Sequence, residues 1–201
     1  LAETLLQSVL DLAWRQMVEK HGRPQREKGV PCDPDFIIVG YGKVGGLELS
    51  YSSDLDLVFI HDAHPALETD GSNAIDNAVF FARLGQRIIH ILTTRMASGE
   101  LYETDMRLRP SGNSGLLVSS LKSFGEYQQS EAWTWEHQAL VRARVVAGCT
   151  RLAEKFNAVR HAILGKPRDP AVLLKEVADM RQKMLGQLSS HKGATDLDES
   201  L

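Results

Sequence analysis

Residues Gly40 to Phe59 read GYGKVGGLELSYSSDLDLVF, and this stretch decides the fold. It joins a glycine-rich turn to an apolar segment in which Asp54 and Asp56 stand one residue apart. Side chains at positions i and i+2 of a strand share a face, so both carboxylates emerge together while Leu55 and Leu57 face the other way. Two like charges about 6–7 Å apart repel, and a hard divalent cation such as Mg²⁺ offsets that repulsion. The pattern predicts a metal site on a strand.

The glycines before the aspartates predict a turn whose backbone can approach a phosphate group closely, because glycine adopts conformations closed to other residues. They are Gly40, Gly42, Gly45 and Gly46. Their spacing matches neither the dinucleotide-binding fingerprint nor the G-x-x-x-x-G-K-[ST] phosphate loop. An Asp-x-Asp pair can also be two solvated residues on an exposed face. The apolar runs at 36–39 and 57–60 favour interior strands, where an unpaired charge is costly, and hence the metal interpretation.

Two-metal phosphoryl chemistry usually needs another carboxylate, and the segment YETDMRLRP at 102–110 offers one. Read as a strand over 101–108, it puts Glu103, Asp105, Arg107 and Arg109 on one face. Beside the first two acids, Asp105 can complete the metal site while the planar guanidinium groups of the two arginines bind phosphate oxygens. The alternative is an amphipathic edge strand with cross-strand ion pairs.

The periodicity of apolar residues predicts an α+β chain, rich in strands at first and helical afterwards. A helix led by Leu6 and Leu10 is expected to end near His21, and the polar tail from His191 to Leu201 is expected to be disordered. The predicted strands cover 36–39, 54–60, 101–108 and 116–118. The further predicted helices cover 74–96, 124–129, 132–146, 151–164 and 170–188.

The predicted helix over 132–146 carries aromatic and charged residues. Trp133 and Trp135 are expected to pack against the protein, since aromatic rings bury large areas. Glu136 is expected to form a buried ion pair with Arg142 or Arg144 if this helix packs on the sheet.

Composition excludes several classes of protein. The chain has 201 residues and a net charge of −3, which gives no broad basic surface and argues against nucleic acid as a partner. Cys32 and Cys149 lie far apart in sequence, so we expect free thiols in a reducing compartment, the cytoplasm. No long apolar run or signal-like start appears, so neither a membrane span nor secretion is expected. A start at Leu1 without methionine is typical of an excised piece.

Three motifs together resemble those of the glutamine synthetase adenylyltransferases, a family of the nucleotidyltransferase superfamily. They are the stretch at 40–59, YETDMRLRPSG at 102–112 and AWTWEHQALVRARVVAG at 132–148. The resemblance implies a polymerase beta-like mixed sheet with flanking helices. It divides the chain into a nucleotidyltransferase domain at 1–120, which includes the N-terminal helix, and a helical domain at 121–201 that begins a longer bundle.

The family resemblance also implies an activity. Members carry two related halves, one transferring AMP from ATP to a tyrosine hydroxyl of glutamine synthetase with Mg²⁺ and release of pyrophosphate. The other half removes AMP by phosphorolysis. The motifs of this chain look more like the C-terminal, adenylylating half. The removing half and a non-catalytic nucleotide-sensing module stay open as alternatives. Glutamine synthetase is the implied partner, with a PII-type signal protein acting through the full-length enzyme.

Roles transfer from the family only at matching positions. Asp54, Asp56 and Asp105 match the catalytic, metal-binding acids. The residues expected to bind the nucleotide are Gly45, Gly46, Ser53, Lys43, Arg107 and Arg109. One departure concerns spacing, because many relatives in the superfamily have their small-residue pair nine or more residues before the first aspartate. Here Gly42-Lys43 falls at that spacing, which leaves Lys43 as either a phosphate ligand or a surface lysine.

Overall fold

The computed structural model describes residues 1–50, 53–94 and 102–195, with the backbone alone for 183–195. The helices are α1 (Ala2–His21), α2 (Gly42–Gly45), α3 (Asn77–Leu92), α4 (Leu121–Ser130), α5 (Thr134–Val141), α6 (Thr150–Leu164) and α7 (Pro170–Thr195), with a 3₁₀ turn at Gly112–Ser114. The strands are β1 (Gln25–Glu27), β2 (Val30–Pro31), β3 (Phe36–Gly40), β4 (Leu55–His61), β5 (Thr104–Asp105), β6 (Val118–Ser120) and β7 (Arg144–Gly148). The predicted α+β class, a mixed sheet with flanking helices, is confirmed.

The main sheet runs in the order β5-β4-β3-β7, with β6 also paired to β4. Strand β3 is antiparallel to both β4 and β7. The other edge of β4 pairs in parallel with β5 near its start and with β6 near its end. Strands β5 and β6 therefore act as two pieces of one broken strand, and residues 106–117 leave and rejoin the same edge.

The sheet separates two apolar cores, because side chains alternate along each strand. Phe36, Leu57 and Phe59 face α1 and α3, where Trp14 and Phe81 pack. The other face of the sheet meets α4, α5 and α6. Its buried residues include Ile37, Val39, Val58, Ile60, Phe124, Leu140 and Phe156. In the described part of the chain, no helix is long and apolar enough to cross a membrane.

The predicted helix over 132–146 is wrong beyond residue 141. Helix α5 ends at Val141, and the chain then forms β7, in which Val145 pairs with Val39. The β-branched pair Val145-Val146 favours a strand, and Gly148 ends it with a φ of 111°. The division of the chain at residue 120 stays a prediction, although β7 brings a later segment back into the sheet.

The predicted strand over 101–108 is also wrong in extent, since only Thr104–Asp105 pair with β4. The Asp105 carboxylate accepts a hydrogen bond of 2.8 Å from the Arg107 backbone N–H, an Asx turn that ends the strand. Arg107 and Arg109 therefore do not continue the strand face. The predicted start at residue 101 and the helix end predicted at residue 96 lie outside the described residues.

Helices α1 and α6 lie within one residue of their expected bounds, and α3 begins three residues later than expected. The strand predicted at 116–118 forms at Val118–Ser120. Helix α7 reaches Thr195, so the start of the tail expected to be disordered is helical, and residues 196–201 lie outside the described part.

A buried carboxylate joins the elements at the end of the sheet that lies away from Asp54. Asp35 is 2% exposed and receives Arg26 at 3.2 Å and Arg151 on its other oxygen. Arg151 also contacts Asp62 at 3.3 Å, and Lys155 contacts the same carboxylate at 2.6 Å. Two arginines on one buried carboxylate offset its desolvation.

His61 at the end of β4 predicts how stability changes with pH. Its ring stacks on Phe81 with centroids 4.4 Å apart, its Nδ1 accepts the Ala63 N–H at 3.1 Å, and burial lowers its pKa from 6.5 to about 4. The unfolded chain therefore binds this proton first as the pH falls from 6.5. We expect the free energy of unfolding to drop by about 3 kcal/mol between pH 6.5 and pH 4 from this group.

Urea unfolding at several pH values checks this prediction with His61→Gln, which should reduce the drop. Exposed His64 also accepts a backbone N–H, from Ala66 at 3.1 Å, and His64→Gln is the matched control that should keep the drop. Equal losses of stability in the parent and in His61→Gln would contradict the role of His61.

Candidate active site

The two strand-borne acids lie at the start of β4. Asp54 precedes the strand and is exposed, whereas Asp56 is half-buried. By strand alternation Asp56 shares its face with Val58 and Ile60, while Leu55 points into the core beneath α1 and α3. Asp56 therefore faces away from Leu55, Leu57 and Phe59, as the alternation of the strand predicts.

Strand β5 brings the third acid to the same place. Asp105 is the register partner of Asp56 in the parallel ladder, and the Leu55 N–H donates to the Glu103 carbonyl at 2.8 Å. Neighbouring strands lie about 4.8 Å apart, so these two side chains are adjacent. Burial raises the pKa of Asp56, and the negative charges of Asp105 and Asp54 raise it further. The structure therefore brings the three predicted acids together.

An arginine side chain is hydrogen-bonded to the third carboxylate, Asp105. The Arg107 guanidinium donates to both Asp105 oxygens, with Nη2–Oδ2 at 2.5 Å and Nε–Oδ1 at 3.1 Å. These hydrogen bonds hold the pKa of Asp105 below its usual range. Over the described ranges, no group of three or more histidine, cysteine or acidic side chains is arranged to hold a metal ion. Asp105 lies with the other acids but is neutralised by a side chain that is 74% exposed.

The donor set fits a hard divalent cation in part. Asp54 and Asp56 supply the carboxylate oxygens that Mg²⁺ prefers. Burial and the charges of Asp105 and Asp54 raise the pKa of Asp56, and a bound cation would oppose these effects. Asp105 fits only after Arg107 leaves its carboxylate. Because the Arg107 side chain is mostly in solvent, it can rotate away without disturbing the core. Metal binding at these acids stays a prediction.

The glycine turn is wedged between β4 and β7. Gly42 has a φ of 50°, and a Cβ added to it would overlap the Asp56 carboxylate. A Cβ on Gly45 would overlap the carbonyl oxygens of Gly40 and Arg142, and one on Gly46 would overlap the Arg142 guanidinium. Only glycine allows this turn to reach both neighbouring strands. Gly42 thus lies beside the acids, while Gly45 and Gly46 face β7.

The other residues expected to bind the nucleotide have different surroundings. Lys43 is exposed on α2, and its charge lowers the pKa of Asp56 against the stronger opposing effects. Ser53 is buried, and its Oγ accepts the Ser50 N–H at 3.1 Å, so its hydroxyl shapes the loop before β4. Arg109 donates to the carbonyls of Met106 at 2.8 Å and Asn113 at 3.3 Å, which closes the loop between β5 and β6. Nucleotide contacts of these residues stay predictions.

Two expectations about α5 are wrong. Trp133, at the start of α5, is 70% exposed and Trp135 is 38% exposed, so neither ring is buried. Glu136 accepts the Tyr127 hydroxyl at 2.9 Å and the Trp133 N–H at 2.8 Å, so it holds the backbone at the start of α5 instead of pairing with an arginine.

The two arginines between α5 and the start of β7, Arg142 and Arg144, are the residues whose role sequence reasoning missed. Arg142 pairs with Glu48, and Arg144 donates to the Val44 carbonyl at 3.1 Å and the Gly45 carbonyl at 3.2 Å. Arg144 also contacts Glu3 at 2.7 Å and thereby lowers the pKa of that carboxyl. Arginines beside a strand-forming Val-Val pair were the available signal, but the helix prediction placed them elsewhere.

Comparisons with known proteins point to one family. The family model described as glutamate-ammonia ligase adenylyltransferase matches residues 1–159. A bifunctional glutamine synthetase adenylyltransferase/adenylyl-removing enzyme of Pseudomonas aeruginosa is 63% identical over 194 residues, covering 96% of this chain and 20% of the relative. A protein of the same name from Hahella chejuensis is 58% identical over 190 residues, covering 94% and 20%. The chain thus spans 20% of the length of these curated relatives.

Gly42 offers a test of the wedged turn. We expect Gly42→Ala to lower the free energy of unfolding more than Gly29→Ala, because both positions have positive φ but only Gly42 also lacks room for a Cβ. Gly29, with a φ of 77° and nothing within 4 Å of an added Cβ, isolates the backbone cost of about 1–2 kcal/mol. Urea unfolding measures both variants, and equal losses would contradict the close approach of Gly42 to Asp56.

Proposed function

The chain belongs to the glutamate-ammonia ligase adenylyltransferase family, and from that premise we propose that it transfers AMP from ATP to a tyrosine hydroxyl of glutamine synthetase, with Mg²⁺ and release of pyrophosphate. The observation that carries the proposal is the register pairing of Asp56 with Asp105 beside Asp54 and the glycine turn. Adjacent carboxylates, of which Asp56 has a raised pKa, next to a backbone that only glycine can form, are suited to a metal and a phosphate group.

Asp54 and Asp56 would hold the cation, and Asp105 would join them when Arg107 turns away. When bound, Mg²⁺ offsets negative charge on phosphate oxygens. Arg107 is placed to exchange one anion for another, since its exposed guanidinium can leave the Asp105 carboxylate for a phosphate oxygen. Lys43 adds a positive charge on the same side of the site.

Room for a nucleotide exists beside the turn. A cavity of about 640 Å³ is lined by residues that follow α2, by the start of α1 and by Tyr102. Val44, Leu47 and Leu49 give it an apolar wall, which suits a planar base better than a phosphate chain. We infer that the base and ribose lie on this side of the turn, with the phosphates towards the acids.

The direction of the reaction is part of the proposal. The sequences GYGK, SDLDLVFIHD and WTWEHQALVRAR resemble the adenylylating half of the family more closely than the removing half. The runner-up is removal of AMP by phosphorolysis, because the relatives are named for both activities and this chain covers 20% of their length. Action in the cytoplasm agrees with Cys32 and Cys149, which are free thiols. A PII-type signal protein would act through the full-length enzyme.

A pair of assays tests the proposal. The chain is incubated with ATP labelled at the α-phosphate, Mg²⁺ and unmodified glutamine synthetase, and in parallel with adenylylated synthetase and phosphate. Label on the synthetase supports adenylylation, whereas release of ADP in the second assay alone supports the runner-up. No reaction in either assay, with ATP still bound, would favour a nucleotide-sensing module.

Substitution of the strand-borne acids tests the site itself. Asp56→Asn should abolish transfer, because it removes a metal ligand while preserving shape, and it should keep or raise the melting temperature because it relieves repulsion among the acids. Asp11 is exposed on the surface of α1, and Asp11→Asn is the matched control that should retain transfer. Near-normal turnover in Asp56→Asn would rule out the assigned metal site.

Replacement of Arg107 should have opposite effects on two ligands. Arg107→Ala frees the Asp105 carboxylate, so the affinity for Mn²⁺ alone, measured by titration, should rise. The affinity for ATP should fall by about 1–3 kcal/mol if Arg107 moves to a phosphate oxygen. Arg107→Lys, which keeps the charge, should lie between the parent and the alanine variant. An unchanged affinity for both ligands would mean that Arg107 only ends β5.

A further inference from the structure

The glycine turn is anchored at two points among the described residues. At its start, the Tyr41 N–H donates to the Asp56 carbonyl of β4 at 2.9 Å. At its end, the Val44 and Gly45 carbonyls accept from the Arg144 guanidinium of β7 at 3.1 and 3.2 Å. The hydrogen bonds in between, such as Gly46 N–H to the Gly42 carbonyl at 3.0 Å, lie within the turn itself.

The end anchor depends on the shape of the guanidinium group. The last carbonyls of a helix lack partners within the helix, and α2 spans only Gly42–Gly45. Arg144 reaches one carbonyl with Nε and the next with Nη2, which uses the planar fork of arginine. A lysine ammonium is a single point and cannot keep both contacts in this geometry.

The same turn controls the surroundings of the acids. A Cβ on Gly42 would overlap the Asp56 carboxylate, and a Cβ on Gly45 would overlap the Arg142 carbonyl, just before β7. A shift of the turn relative to β7 would therefore change the distance between Gly42 and the Asp56 carboxylate. The contacts of the turn with Arg144, on the side opposite to the acids, fix its position between these strands.

We propose that Arg144 is a positioning residue of the nucleotide site, which fixes the glycine turn against Asp56 by holding the Val44 and Gly45 carbonyls. The proposal rests on the proposed function, because it assigns nucleotide binding to the turn and to the acids. Arg144 itself contacts no acid of the site; its carboxylate partner is Glu3 on α1. Its effect on ATP is transmitted by the backbone of residues 42–46.

Two matched controls separate positioning from stability. Gln7→Ala removes a contact between α1 and β7, in which the Gln7 Oε1 accepts the Gly148 N–H at 2.8 Å, and leaves the contacts of Arg144 with the turn. Arg160 makes the same kind of contact elsewhere, since its guanidinium holds the Leu140 and Val141 carbonyls at the end of α5. Arg160→Lys therefore measures what loss of a forked contact on helix carbonyls costs in stability alone.

The experiment measures the Kd of the chain for ATP with Mg²⁺, the melting temperature, and hydrogen exchange of the amides at 42–46. We expect Arg144→Lys to raise the Kd about tenfold and to speed exchange in the turn, the size of effect given by loss of one charge-assisted hydrogen bond. Gln7→Ala and Arg160→Lys should keep the Kd of the parent, even where the melting temperature falls. If Arg144→Lys does not fold, Arg144→Gln replaces it, with the same direction expected.

The outcomes distinguish this inference from the proposed function. A parent chain that does not bind ATP would refute the proposed function, whatever the variants do. A parent that binds, together with an Arg144 variant of equal Kd, would overturn the positioning role alone. An equal rise in Kd for Gln7→Ala would also overturn it, because the effect would then come from the contact between α1 and β7.

Discussion

The pairing of β4 along both of its edges is the constraint on which the rest of the structure depends. One edge meets β3 from Phe36 to Gly40, and the other meets β5 and then β6. A slip of one residue in this register would turn Asp56 towards the core beneath α1 and α3 and would move Leu55 and Leu57 to the opposite face of the sheet. The double pairing excludes such a slip, and it fixes which carboxylates meet. The glycine turn then has one position available, between the ends of β4 and β7.

Much of this arrangement could be predicted because it depends on short-range patterns. The apolar runs that flank the turn, the alternation at Asp54 and Asp56, and the periodicity of α1 and α3 are all local signals. Convergence of Asp105 with the first two acids followed from strand chemistry, although the strand proved much shorter than expected. The remaining features depend on competition between local choices. Asp105 caps its own turn instead of continuing a ladder, and the helical period of α5 masks the start of β7.

Charge is managed differently at the two ends of the sheet. At one end, Asp35 is buried and is held by two arginines, so its negative charge is compensated within the protein. At the other end, burial and the neighbouring Asp105 and Asp54 carboxylates raise the pKa of Asp56. The Arg107 guanidinium there is hydrogen-bonded to Asp105. The first arrangement is closed to further ligands. At the second, the acids lie close together, and the side chain of Arg107 is mostly exposed.

The broken strand formed by β5 and β6 has a consequence for how this protein can diverge. Residues 106–117 form a loop that leaves the edge of β4 after Asp105 and returns to it at Val118. Arg109 closes this loop by donating a hydrogen bond to the Met106 carbonyl. Insertions in such a loop cost little, because the entropy of closing it grows slowly with length. The loop can therefore lengthen or change sequence while the register of both flanking pieces is kept. The surface that this loop presents can therefore change while the acids beside it remain in place.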